Sequence, residues 1–465
     1  MPMRDRARWA FVILLSMALL SAPAIWNHFP LLQYDTGGYL ARWYEPYLVP
    51  SRAVTYGLIL NAGAVLSFWP VVLGQSALTV WVIALILRVH GLGGRPGLLA
   101  GIVGALSVFS TLPWLTSILL TDIFAGLAVL ALYLLLLRAN DLNGREQAAL
   151  VALIAVSVTT HSATLAVLLM LLAAAALLSF VAPSRLPRRR LGNGALAIAL
   201  GAALVFAANA AVTKRLTWTP GGFALSFGRM LQDGIVKKYL DEHCPRARLV
   251  LCAYKDELPR DADEWFWGSP LFDKLGRFAG LDHEMEQIAL ASLIEYPLLQ
   301  VKTAAIATTH QLIDVRTGEG VVNSIWHTYG IIERYRPALV PDMRAARQQR
   351  GQIDFTIINR VHYPLALGSL LLLPLIGGYL LRRKDMNATG ELATVCLLAL
   401  LANAFVCGTL SNPHDRYGAR LIWLAIAATA IAAVCLYEER ERLRATGIAA
   451  APPLRRRVAP PQDLA

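Results

Sequence analysis

Apolar runs of membrane-crossing length recur along this chain, separated by short polar joints. About 20 predominantly apolar residues suffice to cross a bilayer. Such windows fall at 9–26, 71–89, 98–112, 117–137, 148–160, 163–182, 192–211, 362–381, 390–409 and 419–436. A further run, 54–68, contains Asn61 and Gly63 and stops at Trp69-Pro70. Proline breaks helix continuity there, so the run predicts an interfacial or re-entrant helix. The expectation is an all-α polytopic membrane protein with about 10 transmembrane helices and both termini in the cytoplasm.

Two stretches then lie outside the membrane. One is the first external loop, 27–70, within an N-terminal transmembrane module, 1–211. The other is 212–361, an extracytoplasmic domain long enough to fold by itself. Its first part is acidic, with Asp241, Glu242, Asp256, Glu257, Asp261, Asp263 and Glu264. Few alternating runs occur in it, so it is expected to be mainly helical. Positions 288–313 are moderately apolar but carry Glu295, Pro297 and Lys302, which predicts a helix lying along the membrane. The C-terminal helices occupy 362–437. A cytoplasmic tail, 438–465, is rich in Arg, Ala and Pro and is expected to be disordered.

Composition supports the membrane reading. Of 465 residues, 56% are hydrophobic and only 16% charged, against about 25% charged in an average soluble protein. The net charge of +12 does not indicate nucleic acid, because the arginines cluster in alternate joints. They are Arg4, Arg6 and Arg8; Arg138 and Arg145; Arg185 and Arg188 to Arg190; Arg382, Arg383 and Lys384; and Arg440, Arg442 and Arg444. That alternation is the positive-inside pattern of cytoplasmic loops. The basic start and first apolar run lack a small-residue cleavage site and read as an uncleaved span. Cys396, Cys407 and Cys435 fall inside spans as small buried apolar residues. Cys244 and Cys252 lie eight apart in the external segment and are disulfide candidates in an oxidising compartment.

Under this topology, charged and polar residues converge at the outer ends of the spans. They are Asp35, Glu45 and Arg52 in the first loop, Asp122 at the head of an apolar run, and His161 between two spans. His414, Asp415, Arg416, Tyr417 and Arg420 precede the last span. Each has a plainer reading. Asp35 and Asp122 could cap helices, His161 could be an interfacial histidine, and Arg416 could reach headgroups. Trp265-Phe266-Trp267 reads as an interfacial anchor or a sugar platform.

The order and placement of four segments resemble the GT-C superfamily of integral-membrane glycosyltransferases, which use polyprenyl-phosphate-linked sugars. Gln33-Tyr34-Asp35-Thr36-Gly37-Gly38-Tyr39 resembles their first-loop acidic motif. Thr121-Asp122-Ile123-Phe124 resembles the second acidic motif, and Thr160-His161-Ser162 lies where relatives place a polar residue. His414-Asp415-Arg416-Tyr417 resembles the Arg-Tyr pair of protein mannosyltransferase and aminoarabinose transferase-like enzymes. Several relatives carry paired Asp-Glu in the first loop, whereas Thr36 follows Asp35 here.

The resemblance implies sugar transfer from a polyprenyl-phosphate donor to an extracytoplasmic lipid, glycan or protein acceptor at a bacterial inner membrane. Such a reaction needs a base for the acceptor hydroxyl, for which Asp35 is the candidate, supported by Asp122. It also needs donors for the leaving phosphate, which suits Arg52 and Arg416, whose planar fork binds phosphate in a bidentate way. His161, His414, Tyr417 and Glu45 complete the expected substrate-binding set. Asp35, Asp122 and His161 could hold a divalent metal, magnesium or manganese, as some relatives do. A flippase or permease of lipid-linked material is the alternative reading. Transfer of another lipid-linked group is a further one.

Overall fold

The computed structural model describes residues 3–445 apart from 46, 51, 184, 185, 220, 221, 245, 384 and 385. Arg185, Lys384 and the tail from 446 onward lie outside the described residues. Among the described residues the fold is all-helical, with one isolated backbone bridge between Leu31 and Ile118.

Helix α1 (Met3–Leu20) is separated from α2 (Ala22–Asn27) at Ser21, just ahead of Pro23. The first loop folds into α3 (Thr36–Ala41) and α4 (Val54–Gly63). Then follow α5 (Trp69–Leu87), α6 (Pro96–Phe109), α7 (Leu112–Ser117), α8 (Asp122–Leu137), α9 (Gly144–Thr160), α10 (Ser162–Val181) and α11 (Arg188–Thr213). The external segment contributes α12 (Gly222–Gln232), α13 (Ile235–His243), α14 (Pro270–Lys274), α15 (Arg277–Glu295), α16 (Pro297–Ile313), α17 (Trp326–Tyr335) and α18 (Val340–Ala345). The chain ends in α19 (Phe355–Leu380), α20 (Asn387–Leu410) and α21 (Asp415–Ala445), which carries positions 438–445 of the expected tail as helix.

Six helices are long and apolar enough to cross a membrane: α5, which continues to Leu92, and α10, α11, α19, α20 and α21. The protein is therefore a multi-pass membrane protein. The expected ten spans are not all of that length, for local reasons. The 9–26 run is interrupted at Ser21, and the 98–112 run stops when Ser110 turns extended. The 117–137 run becomes helical only at Asp122, because Ser117 and Leu119 bond to Leu31 instead. At 16 residues, α8 rises about 24 Å, short of a bilayer core of about 30 Å. Yet α8 is apolar all round and buried from Asp122 to Leu136, as a central helix must be. Around it, α10, α11 and α19 bury only 28% of their apolar windows, whereas α5, α20 and α21 bury 61–67%. The first three form the lipid-facing rim.

Ion pairs gather the joints after α5, α8 and α19 and the end of α21 at one end. Arg88 reaches Glu146 at 2.7 Å, Arg138 pairs with Glu391, Arg95 with Glu438 and Arg383 with Glu439.

At the opposite end, segment 212–361 divides between two cores. Val315, Ile325, Tyr329, Ile332 and Met343 join the core of the membrane helices. Phe227, Leu240, Trp265, Phe272 and Met285 form a separate one. Cys244 and Cys252, bonded with their Cα atoms 5.3 Å apart, pack against this second core. Trp265 and Phe266 are buried in it, leaving only Trp267 exposed. The first two aromatic residues are thus neither membrane anchors nor a sugar platform. The single helix expected over 288–313 is instead α15 and α16, broken where Pro297 starts the second. Cys396, Cys407 and Cys435 are free and buried.

Candidate functional site

The two acidic motifs meet because their backbones bond to each other. The Leu31 N–H donates to the Ser117 carbonyl at 2.9 Å, and the Leu119 N–H donates back to Leu31 at 2.9 Å. Thr36 Oγ1 then donates to the Leu119 carbonyl at 3.1 Å. Asp35 lies four residues past this bridge on one strand of chain, and Asp122 three residues past it on the other.

Asp35 precedes α3, but its side chain caps nothing there. Both of its oxygens go to arginines instead. Arg416 Nη1 donates to Asp35 Oδ2 at 2.5 Å and Arg52 Nη2 donates to Oδ1. Arg416 Nε donates to Asp122 Oδ2 at 2.8 Å, so one guanidinium spans both carboxylates. The network is well shielded, with side-chain exposures of 14% for Asp35, 12% for Arg416 and 3% for Asp122. Asp122 Oδ1 is buried without a hydrogen-bond partner among the described residues. Burial pushes the Asp35 carboxyl up, but Arg52 and Arg416 together outweigh it and hold it at about 2.

The glycine pair after Asp35 makes room for what surrounds it. A Cβ on Gly37 would lie 2.6 Å from the Thr328 Cα of α17, and one on Gly38 would lie 3.3 Å from Arg52 Nε. The Gly37 N–H donates to Thr328 Oγ1 at 3.0 Å, which in turn donates to the Gln33 and Tyr34 carbonyls at 3.1 Å. Since Thr328 presents backbone, it cannot swing away. Gly37→Ala is expected to cost about 1–3 kcal/mol and to lower the thermal midpoint in detergent.

The remaining sequence candidates are distributed around this centre. His161 Nδ1 accepts from the Ala163 N–H at 3.2 Å, capping α10. Burial, then Arg420, Arg416 and Arg52, push its imidazole well below the usual range, so it is neutral. With Arg52, Val49, Val158, Val205 and Trp218 it lines a groove between the first loop and the outer ends of α9 and α11. Glu45 is drawn to Arg42 at 2.5 Å and to the Tyr335 hydroxyl at 3.1 Å, tying the loop to α17 rather than joining Asp35. The Tyr417 ring lies 5.8 Å from both the Arg416 and the Arg420 Cζ atoms.

His414 is not bonded to the carboxylate pair but lies in a clamp of its own. Its Nδ1 is 2.7 Å from Glu319 Oε1 and its Nε2 is 3.3 Å from Asp263 Oδ2. Glu319 Oε2 accepts the Arg416 N–H at 2.6 Å, so the same carboxylate caps the helix that carries Arg416. Neither Glu319 nor Asp263 is a site candidate in the sequence, where Asp263 counts only toward the acidic character of its segment. The available signal was Gly318-Glu319-Gly320, where both glycines have positive φ (103° and 76°) and a Cβ would strike Phe355 or Gln33.

Burial lowers the His414 pKa, but Asp263 and Glu319 outweigh it and raise it to about 10 from 6.5. A raised folded-state pKa stabilises fully below pH 6.5, and the contribution fades as pH climbs toward about 10. His414→Gln is expected to flatten that part of the stability curve. It should lose roughly 1–2 kcal/mol near pH 6, reduced by solvent screening at the half-exposed Asp263. Unfolding midpoints from pH 6 to 10 check this.

As to a metal, no group of three His, Cys, Asp or Glu side chains converges among the described residues. Asp35 and Asp122 converge on a guanidinium rather than on His161. Among the described residues, the two carboxylates have no third ligand of these types beside them.

No protein-family model and no curated protein matches the chain. Among solved structures, it is similar to the archaeal oligosaccharyltransferase AglB from Archaeoglobus fulgidus, solved with an inhibitory peptide and a dolichol-phosphate. The match has 12% identity and a TM-score of 0.42, covering 97% of this chain and 52% of that one. The chain thus spans about half the length of that protein.

Proposed function

We propose that this protein is a membrane glycosyltransferase that moves a sugar from a polyprenyl-phosphate donor to an extracytoplasmic acceptor. The observation that supports it best is the buried network in which Arg416 spans Asp35 and Asp122 while Arg52 holds the other oxygen of Asp35. In this reading α1, α6, α8 and α9 cross the membrane beside the six long helices. The arginine-bearing joints then face the cytoplasm of a bacterial inner membrane and the network faces outward.

The network is a site waiting for an anion. A carboxylate held at about 2 by two arginines is a poor base, since an efficient general base titrates near the working pH. A donor phosphate competes for the same guanidinium hydrogens. As Arg52 and Arg416 turn to the phosphate, Asp35 loses its partners and its pKa rises. Donor binding thereby readies the base. The acceptor hydroxyl gives its proton to Asp35 as its oxygen bonds to the anomeric carbon. The bond from that carbon to the phosphate oxygen breaks, its electron pair leaves with the lipid phosphate, and the configuration inverts. The guanidiniums stabilise the charge growing on that phosphate. The groove beside Arg52 and His161, walled partly by the lipid-facing α11, suits the first units of the lipid chain.

A transporter would place such groups near the bilayer midplane on broken helices. Here Asp122 and Arg416 lie in the first turns of α8 and α21. Detergent-solubilised protein given labelled polyprenyl-phosphate sugar and envelope extract should release lipid phosphate with no sealed compartment. Sugar-lipid movement that occurs only in sealed vesicles, without release, would contradict the reading.

A further inference from the structure

Arg420 lies one turn below Arg416 on α21 and is fully buried, at 0% exposure. Its Nε and Nη2 donate to Asn403 Oδ1 at 2.9 and 2.6 Å, and Nη2 also reaches Cys407 Sγ at 3.3 Å. None of these partners carries a charge, and Nη1 has no hydrogen-bond partner among the described residues. Arg416 and Arg420 flank the same Tyr417 ring. A buried guanidinium without a counter-charge is costly and is rarely retained for packing alone.

The local charge balance points the same way. Three guanidiniums, on Arg52, Arg416 and Arg420, face two carboxylates, on Asp35 and Asp122. The other charged groups near the head of α21 are His414 with its two carboxylates, Glu319 and Asp263, and Asp415 with Arg316, all at 24–49% side-chain exposure, where solvent screens them. Among the most shielded groups alone, guanidiniums outnumber carboxylates by one.

We propose that Arg420 is a third phosphate-binding side chain and that the site is built to be completed by a singly charged phosphodiester. This rests on the reading of the network as a phosphate site, but it can be tested without turnover. The probes are lysophosphatidylglycerol, a lipid phosphodiester with one negative charge, its zwitterionic counterpart lysophosphatidylcholine, and chain-free dimethyl phosphate. Each is titrated into the full-length protein in neutral detergent while the thermal midpoint is followed.

Lysophosphatidylglycerol should raise the wild-type midpoint and lysophosphatidylcholine should not. Arg420→Met should keep or raise the unliganded midpoint and weaken the apparent affinity for lysophosphatidylglycerol about tenfold or more. Asn403→Asp, which supplies a counter-charge at the oxygen Arg420 already uses but gives up the bond from Asn403 Nδ2 to the Tyr417 carbonyl at 2.7 Å, should also weaken probe binding. This variant keeps the test intact if Arg420→Met does not fold. Equal response to dimethyl phosphate would assign the site to free phosphate rather than lipid, with the shared chemistry upheld. An undiminished probe response in either variant, or no wild-type response, would overturn the proposal. Arg420 would then be a packing residue for α20 and α21. Because no sugar is transferred, the result stands apart from success or failure of the transferase assay.

Discussion

Asp35→Asn is expected to abolish sugar transfer, lowering the rate by roughly 10²–10⁴-fold, the usual contribution of a positioned base. Asparagine keeps the shape of the side chain and one acceptor oxygen, so α3 and its contact with Thr328 persist. What it removes is the charge that Arg52 and Arg416 share and one of the two oxygens that these arginines hold. Asp122→Asn should be milder in rate, because among the described residues the Asp122 side chain bonds to Arg416 and to no second arginine. The acid side of the stability profile offers a separate check. A folded-state pKa of about 2 against 3.8 means that Asp35 stabilises fully above pH 3.8 and loses this as pH falls toward 2. The unliganded wild type should therefore show no loss from this group at pH 5, and Asp35→Asn should remove the loss seen between pH 4 and 2. Unfolding midpoints and initial rates of lipid-phosphate release measure the two effects.

The largest stability effect is expected from Arg416→Ala. Removing one member of a shielded ion network leaves the others uncompensated, at a cost of about 3–5 kcal/mol. Here both Asp35 and Asp122 lose their bond to Arg416, the second of them buried at 3% exposure. Arg416→Lys should recover part of the stability but little of the activity. An ammonium is a single point charge and cannot hold two carboxylates, or two phosphate oxygens, with the fixed fork of a guanidinium. Thermal unfolding in detergent, compared with the rate, separates the two losses. A lysine variant with near wild-type turnover would mean that charge, and not the fork, is what the site requires.

Part of the candidate site is legible in the sequence because two of its charged residues stand against apolar runs. Asp122 opens the run that becomes α8, and Arg416 opens the run that becomes α21. Such positions are costly for charge, which made them visible. The bond pattern was not legible, because the Leu31–Ser117–Leu119 bridge is made by backbone and leaves no side-chain signature. Glu319 was hidden for a similar reason. It sits in an irregular loop, and the glycines beside it mark only a turn until Phe355 and Gln33 are seen against them. Hydropathy windows also over-read span length, since a window cannot see that Ser110 turns the chain. The internal Pro364 and Pro374 of α19, by contrast, do not interrupt a 26-residue span. Trp265 was misread because a tryptophan in a polar segment looks like an anchor, whereas here it fills a second core that the segment builds for itself.

The central claim, that the Asp35–Arg416–Asp122 network transfers a sugar, is tested most directly in cells. The envelope glycans, glycolipids and proteins of a strain lacking this protein are compared by mass spectrometry after complementation with wild type or Asp35→Asn at matched abundance. The account predicts that a sugar-sized mass disappears on deletion, returns with the wild type and stays absent with Asp35→Asn, which also identifies the acceptor. Full restoration by Asp35→Asn would contradict it and leave Asp35 as no more than a tether for two arginines.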